Sequence, residues 1–114
     1  IAIVLNGPSF EKYDPLVIPG GLLVVNSSII SEQSIRSDID AVYVPANGIA
    51  EELGSTKMLN MAMLGAMLAQ RPIFSLEEME QTLKDHLPAS KVHLLESNFL
   101  VLRRGYAAGS TIAA

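Results

Sequence analysis

The chain has 114 residues, 49% hydrophobic and 18% charged, with eight basic and twelve acidic side chains and a formal charge of −4. That is enough for one compact domain with a real core, and the acidic balance argues against nucleic acid or an anionic membrane surface as partner. There is no cysteine, which excludes disulfides, thiolate-held clusters and cysteine zinc sites in this chain and fits a cytoplasmic setting.

The hydrophobic share exceeds what a solvated monomer needs, which points to extra buried surface such as a partner interface. The longest apolar stretch, Met58 to Ala69, is interrupted by Asn60 and falls far short of the ~20 residues of a membrane span. No basic region or cleavage site marks a signal peptide. The chain opens on "IAIVL", already inside an apparent strand, which suggests that N-terminal sequence is missing.

"IAIVL" (1–5) reads as a continuously apolar strand of the kind buried on both faces of a parallel sheet. "NGPS" (6–9) is turn chemistry, with Ser9 as the expected cap of a short helix through "FEKYDPLV"; Pro15 should end or bend that helix. Pro19, Gly20 and Gly21 form a turn requiring positive φ. A second strand follows, "LLVVN" (22–26), and a third in "DAVYVPA" (40–46), stopped by Pro45. Strand, helix, strand, loop, strand is α/β order.

Beyond this point the chain turns helical. "NGIAEELG" is a short helix with Asn47 as expected cap and Gly54 as its stop. Residues 55–71 form a strong helix starting at Ser55 or Thr56 and ending before Pro72. "SLEE" (75–78) has capping-box spacing and opens a helix expected to bury Leu76, Met79 and Leu83. Lys84 and Asp85 fall on its exposed face. After Pro88, the spacing of Val92, Leu95, Phe99 and Leu102 predicts a last helix, with "GYAAGSTIAA" as a loosely held tail.

Asn26, Ser27 and Ser28 end the most apolar strand of the chain and are the first candidates for chemistry. A serine nucleophile needs a base, and the only histidines are His86 and His93, both in the C-terminal helices. The Gly-x-Ser-x-Gly signature is absent. The plainer reading is that the three residues satisfy backbone groups where the strand leaves the sheet. "IPGGLL" is a poor phosphate cradle, because its glycines precede a strand rather than a helix. The carboxylates Glu11, Asp14, Glu51, Glu52, Glu77, Glu78 and Glu80 fall on predicted helix surfaces without the paired, contrasting environments of an acid–base dyad. No spacing of histidine with glutamate or histidine suggests a metal.

"KMLNMAMLGAMLAQ" is apolar almost all round, so it should be covered on more than one side. Asn60 is its one polar interior residue, a backbone bridge or a subunit contact. Gly65 costs about 1 kcal/mol against alanine there, which suggests close approach of another backbone. Met58, Met61, Met63 and Met67 suit an adaptable packing surface. Read from these residues alone, the chain is an α/β domain without self-contained chemistry.

Several stretches, in order, resemble the gamma subunit of 2-oxoacid:acceptor (ferredoxin) oxidoreductases. "LNGPSFEKYDPLVIPGGLLVVNSSII" is similar to that family's Asn-x-Pro-Ser, helix, Pro-Gly-Gly, apolar strand and Asn-Ser-Ser. "VPANGIAEELGSTKMLNMAMLGAML" is similar to its Val-Pro-Ala…Ile-Ala-x-Glu-Leu-Gly…Asn-Met-x-x-Leu-Gly-Ala segment, and "FSLEEMEQTLKDHL" to its next helix. The resemblance spans about residues 3 to 107. It departs where the family has Gly-Asn and a small-residue pair before the long helix and this chain has "GSTKMLNM". The family's upstream Gly-x-Gly-Gly-x-Gly turn has no counterpart here, so the chain corresponds to the C-terminal two-thirds of a gamma domain.

The resemblance implies a three-layer α/β/α fold with a mostly parallel sheet, like domain III of pyruvate:ferredoxin oxidoreductase. It implies a non-catalytic part in oxidative decarboxylation of a 2-oxoacid, such as pyruvate or 2-oxoglutarate, to acyl-CoA. Thiamine diphosphate, Mg²⁺, iron–sulfur cluster and CoA would belong to sister subunits, the expected partners, with a homo-oligomer as a further option. The candidate docking or site-shaping residues are Asn6, Pro8, Ser9, Asn26, Ser27, Ser28 and Asn60; catalytic and metal residues are not expected. The alternatives are a stand-alone α/β module for a small ligand or nucleotide, and a purely structural oligomerisation domain.

Overall fold

A computed structural model describes residues 1–53, 58–86 and 94–110. Its centre is a parallel sheet of β1 (Ala2–Val4), β2 (Leu22–Asn26) and β3 (Asp40–Val44) in the order β1-β2-β3. Ala2 pairs with Leu23, and Leu22 with Asp40. All five residues of β2 are buried, as a central strand requires when both sheet faces are covered. Alternation divides them between two cores.

Leu22 and Val24 join Val42 and Val44 under α2 (Ala46–Glu52), α3 (Leu59–Gln70) and α5 (Leu95–Gly109). On the opposite face Leu23 and Val25 meet Val4, Phe10, Val17 and Ile30. This second layer comes from α1 (Gly7–Tyr13), the 3-10 turn Asp14–Leu16 and the connection to β3. The expected three-layer α/β/α arrangement is present. α4 (Leu76–His86) lies outside it against α5, tied by two contacts of Arg103 with Glu80, at 2.6 and 3.0 Å.

β1 differs from its expected form. It is an edge strand of the described sheet, shorter than 1–5, and Ile3 is 38% exposed. Pro15 ends α1 as expected, since a helical turn with a proline loses a backbone donor. The Pro-Gly-Gly turn closes through Gly21 N–H donating to the Ile18 carbonyl at 2.8 Å, with Gly20 at φ +82°. Gly21 serves differently: a Cβ there would press on the Ile18 carbonyl and Val17.

α3 is mostly buried, with Ala62, Met63, Gly65, Ala66 and Leu68 inside and Met61 and Leu64 half-buried. The backbone approach inferred at Gly65 is real, and its partner is α5. Cβ atoms at Gly65, Gly105 and Gly109 would overlap the backbone of Leu102, Ala62 and Ala66 respectively. Ala62 facing Gly105 and Ala66 facing Gly109 set the two helices running in the same direction.

Over its described residues, 105–110, the expected loose tail is wrong; 111–114 lie outside the described residues. Residues 105 to 109 are the last turn of α5, and Gly105 and Gly109 are buried, because only glycine lets the two backbones meet. The expected burial along α4 is also too strong. Leu76, Met79 and Leu83 are half-buried, since α4 packs on one helix and faces solvent otherwise. Lys84 and Asp85 are exposed as expected. The expected features at Gly54, Ser55, Thr56, Pro88 and Val92 lie outside the described residues.

Candidate functional site

Parallel pairing carries the carboxyl ends of all three strands to one edge of the sheet, the edge where open α/β sheets gather ligands and partners. There lie Asn6 after β1, Asn26 to Ser28 after β2, and Asn47 in the first turn of α2.

Asn26 is the organising residue. It is the buried polar side chain of the described core, 0% exposed. Its Nδ2 donates to Asn47 Oδ1 at 2.8 Å, and its Oδ1 accepts from the N–H groups of Ser28 at 3.2 Å and Ala46 at 3.3 Å. Its carbonyl accepts from Ile29 and Ile30 N–H, while Ser27 N–H donates to the Val44 carbonyl at 2.9 Å. Ser28 Oγ accepts from Gly48 N–H at 3.4 Å. One amide thus supplies the partners that strand end, turn and helix start would otherwise lack in a dry setting.

Three expectations change here. Asn47 does not cap α2: Pro45 occupies the cap position, without a side-chain hydrogen bond, and Asn47 turns instead to Asn26. Ser9 does not cap α1. Asn6 does, its side chain accepting from Ser9 N–H at 2.9 Å, with Pro8 in the first turn where a missing N–H costs nothing. Asn60 is exposed, not interior; it sits second in α3, where a polar side chain reaches solvent, far along the chain from the strand tips. Asn6, Pro8, Ser27 and Ser28 are exposed and Ser9 half-buried.

The cluster does not assemble a nucleophile. Among the described residues no histidine bonds Ser27 or Ser28, and His86 Nδ1 lies 3.0 Å from the Thr82 carbonyl within its own helix. Among the described residues no group of three or more histidine or acidic side chains could hold a metal ion. Without cysteine, the chain offers no thiolate to an iron–sulfur cluster. The clefts lie elsewhere, one at Ile1, Tyr13, Leu16 and Ile18 and another at Ser34, Arg36 and Tyr43. What Asn26 builds is a closed, self-satisfied loop junction.

Sequence reasoning missed the polar clamp on the other side of the sheet. Arg36 Nη1 donates to the carbonyls of Asp14 at 2.7 Å and Val17 at 2.6 Å, and its Nε and Nη2 donate to the Asp38 carboxylate. Ser34 N–H donates to Tyr43 Oη at 2.8 Å, and Ser34 Oγ to Asp14 Oδ1 at 2.6 Å. The hydrogen bonds from Arg36 hold the Asp38 carboxyl below the usual carboxylate range. A lone arginine in a polar connection carries no local signal of its bonds to Asp14 and Val17, about twenty positions earlier, although Asp38 lies only two residues on.

The fold is thus a parallel α/β domain whose strand-tip loops are tied together through Asn26. The sequence pattern of the family described as pyruvate ferredoxin/flavodoxin oxidoreductase matches residues 1–108, and the chain belongs to that family. It is 33% identical over 111 residues to 2-oxoglutarate synthase subunit KorC of Methanothermobacter thermautotrophicus, covering 92% of this chain and 57% of that protein. KorC of Methanocaldococcus jannaschii is 29% identical over 108 residues, covering 93% and 56%. The chain therefore spans a little over half the length of these relatives.

The fold is shared with the gamma subunit of a keto/oxoacid ferredoxin oxidoreductase from Geobacter sulfurreducens, with a TM-score of 0.80 and 22% identity over 95% of this chain and 63% of that one. It is shared too with a 2-oxoglutarate:ferredoxin oxidoreductase from Magnetococcus marinus, with a TM-score of 0.79, 23% identity and 97% of this chain against 20% of that one. Among the described residues no helix is long and apolar enough to cross a membrane.

Proposed function

We propose that the chain is a non-catalytic gamma component of a 2-oxoacid:ferredoxin oxidoreductase, the complex that oxidatively decarboxylates a 2-oxoacid to acyl-CoA. The observation that carries this is the family match along 1–108, nearly the whole chain. Thiamine diphosphate, Mg²⁺, the iron–sulfur cluster and CoA are then held by sister subunits, and this domain contributes shape and contact. The Asn26 junction supports a structural role, since its side-chain oxygen already accepts two backbone N–H groups and its amide nitrogen donates to Asn47 within the chain. Asn6, Pro8, Ser27 and Ser28, exposed at the same edge, are the residues through which the strand-tip loops meet a neighbour.

The test is a turnover assay with 2-oxoacid, thiamine diphosphate, CoA and a viologen acceptor. The purified chain alone should be silent, and the complex reconstituted with its sister subunits should turn over. Turnover by the isolated chain, lost on Ser27→Ala or Ser28→Ala, would make this an enzyme in its own right.

A further inference from the structure

Two Asn-Gly pairs occur in the chain, Asn6-Gly7 and Asn47-Gly48. Asparagine followed by glycine is the pair most prone to spontaneous loss of the side-chain amide. Glycine has no Cβ to hinder its nitrogen, and its backbone turns freely. The two pairs stand in opposite settings.

Gly7 opens α1, so its N–H has no acceptor within the helix. A Cβ built on Gly7 meets nothing within 4 Å, which leaves the space around its nitrogen open. Asn6 precedes the helix with extended backbone, φ −148° and ψ 167°, and is exposed. One hydrogen bond holds its side chain, from Ser9 N–H to Oδ1 at 2.9 Å. That donor sits on the oxygen that gains negative charge when the side-chain carbonyl is attacked, so it assists the addition rather than opposing it.

Asn47 and Gly48 lie in the first turn of α2, both half-buried. Asn47 Oδ1 is taken by the amide of buried Asn26 at 2.8 Å, and Gly48 N–H, the nucleophile the reaction needs, donates to Ser28 Oγ at 3.4 Å. Turning the Asn47 backbone to close a ring would also break the bond from Ile49 N–H to the Pro45 carbonyl.

We propose that Asn6 is a site of spontaneous deamidation, and that the Asn26 junction protects Asn47 from the same reaction. Gly7 nitrogen gives its proton to solvent base and bonds to the Asn6 side-chain carbonyl carbon. The bond from that carbon to the amide nitrogen breaks, and ammonia leaves with a proton from solvent. Water then opens the cyclic imide at either carbonyl, giving aspartate or isoaspartate; nothing is oxidised or reduced. An aspartate product keeps the cap and adds charge at the favourable end of α1, whereas isoaspartate, with a longer backbone, loses the cap. Either product places a negative charge on the edge that carries Ser27 and Ser28. The inference stands on local geometry and does not rest on the functional reading above.

The experiment incubates the full chain at neutral and mildly alkaline pH and scores each asparagine by peptide mass spectrometry. Wild type, Gly7→Ala and Ser28→Ala are compared. Asn6 should convert at least roughly 10-fold faster than Asn47, the size expected when attacking and attacked atoms are held out of alignment at the slower site. Its rate should rise with pH, and both aspartate and isoaspartate should form. Gly7→Ala, which the open space accommodates, should slow Asn6 several-fold and leave Asn47 unchanged. Ser28→Ala, which frees Gly48 N–H, should speed Asn47 several-fold. In guanidinium chloride the two pairs should converge, because the fold no longer separates them. Conversion of Asn6 no faster than that of Asn60 or Asn98, which lack a following glycine, overturns the site, as does an undiminished rate in Gly7→Ala. Aspartate without isoaspartate overturns the cyclic route. Equal rates at Asn6 and Asn47 in the folded chain overturn the protective role of the Asn26 junction.

Discussion

Replacing Gly105 with alanine probes the contact on which the helical layer depends. In an open helix position the change stabilises by about 0.5–1 kcal/mol, because glycine loses more backbone freedom on folding. At Gly105 the added Cβ would overlap the carbonyl, carbonyl carbon and Cα of Ala62. All three are backbone atoms of α3, so no side chain can swing away, and the helices must separate over the core formed by Val24, Val42 and Val101. Overpacking of this kind costs roughly 1–3 kcal/mol and occasionally more. Set against the propensity gain, the net expectation is a loss of about 1–2 kcal/mol, or a fall in Tm of roughly 5–15 °C for a domain of this size.

Gly48→Ala is the matched control. Gly48 lies in α2, and a Cβ there meets nothing within 4 Å, so the same substitution should raise Tm by a few degrees. Thermal unfolding followed by circular dichroism reads both. A Gly105→Ala protein melting at or above wild type would show that α3 and α5 do not meet backbone to backbone.

Asn26→Ala should cost about 1–3 kcal/mol in denaturant unfolding, because the Ser28 and Ala46 N–H groups and Asn47 Oδ1 lose their partner in a buried setting. Ser27→Ala should stay within about 0.5 kcal/mol of wild type, its side chain being exposed. Asp38 gives a pH dependence of definite sign. Its folded pKa is lowered, so its contribution is present above the unfolded value of about 3.9 and is lost as pH falls through the folded value. Hydrogen exchange should show the Ser34 and Arg36 amides protected at neutral pH and less so in acid below that range, with Asp38→Asn showing the reduced protection at every pH.

The parts of the fold legible in the sequence were those with a dense local signal. Leu22 to Val25 are apolar without interruption and proved to be the central strand. Ser75 and Glu78 stand at capping-box spacing and do bond reciprocally, at 3.0 and 3.2 Å. The misreadings arose where two local readings compete. Asn6 and Ser9 are both good caps, and the "NGPS" turn pattern hid a helix that starts at Gly7. Asn47 looks like a cap until a buried partner claims its side chain. "GYAAG" reads as a flexible tail unless Gly105 and Gly109, four apart on one helix face, are set against Ala62 and Ala66, also four apart. Of the candidate residues, Asn26 was placed correctly at a strand tip that satisfies backbone groups, whereas Asn60 proved to be surface. The long-range half of the Arg36 clamp has no local signal, because the Asp14 and Val17 carbonyls it bonds are selected by the tertiary fold, whereas its other acceptor, Asp38, is only two residues away.

The most direct measurement is purification of the tagged chain from cells that also express its sister subunits, with the co-eluting proteins identified and thiamine diphosphate and iron quantified. The expected result is a stoichiometric complex in which thiamine diphosphate and iron are present and stay with the other subunits when this chain is dissociated. A chain that elutes alone, or one that carries thiamine diphosphate itself after dissociation, would contradict its assignment as a non-catalytic gamma component.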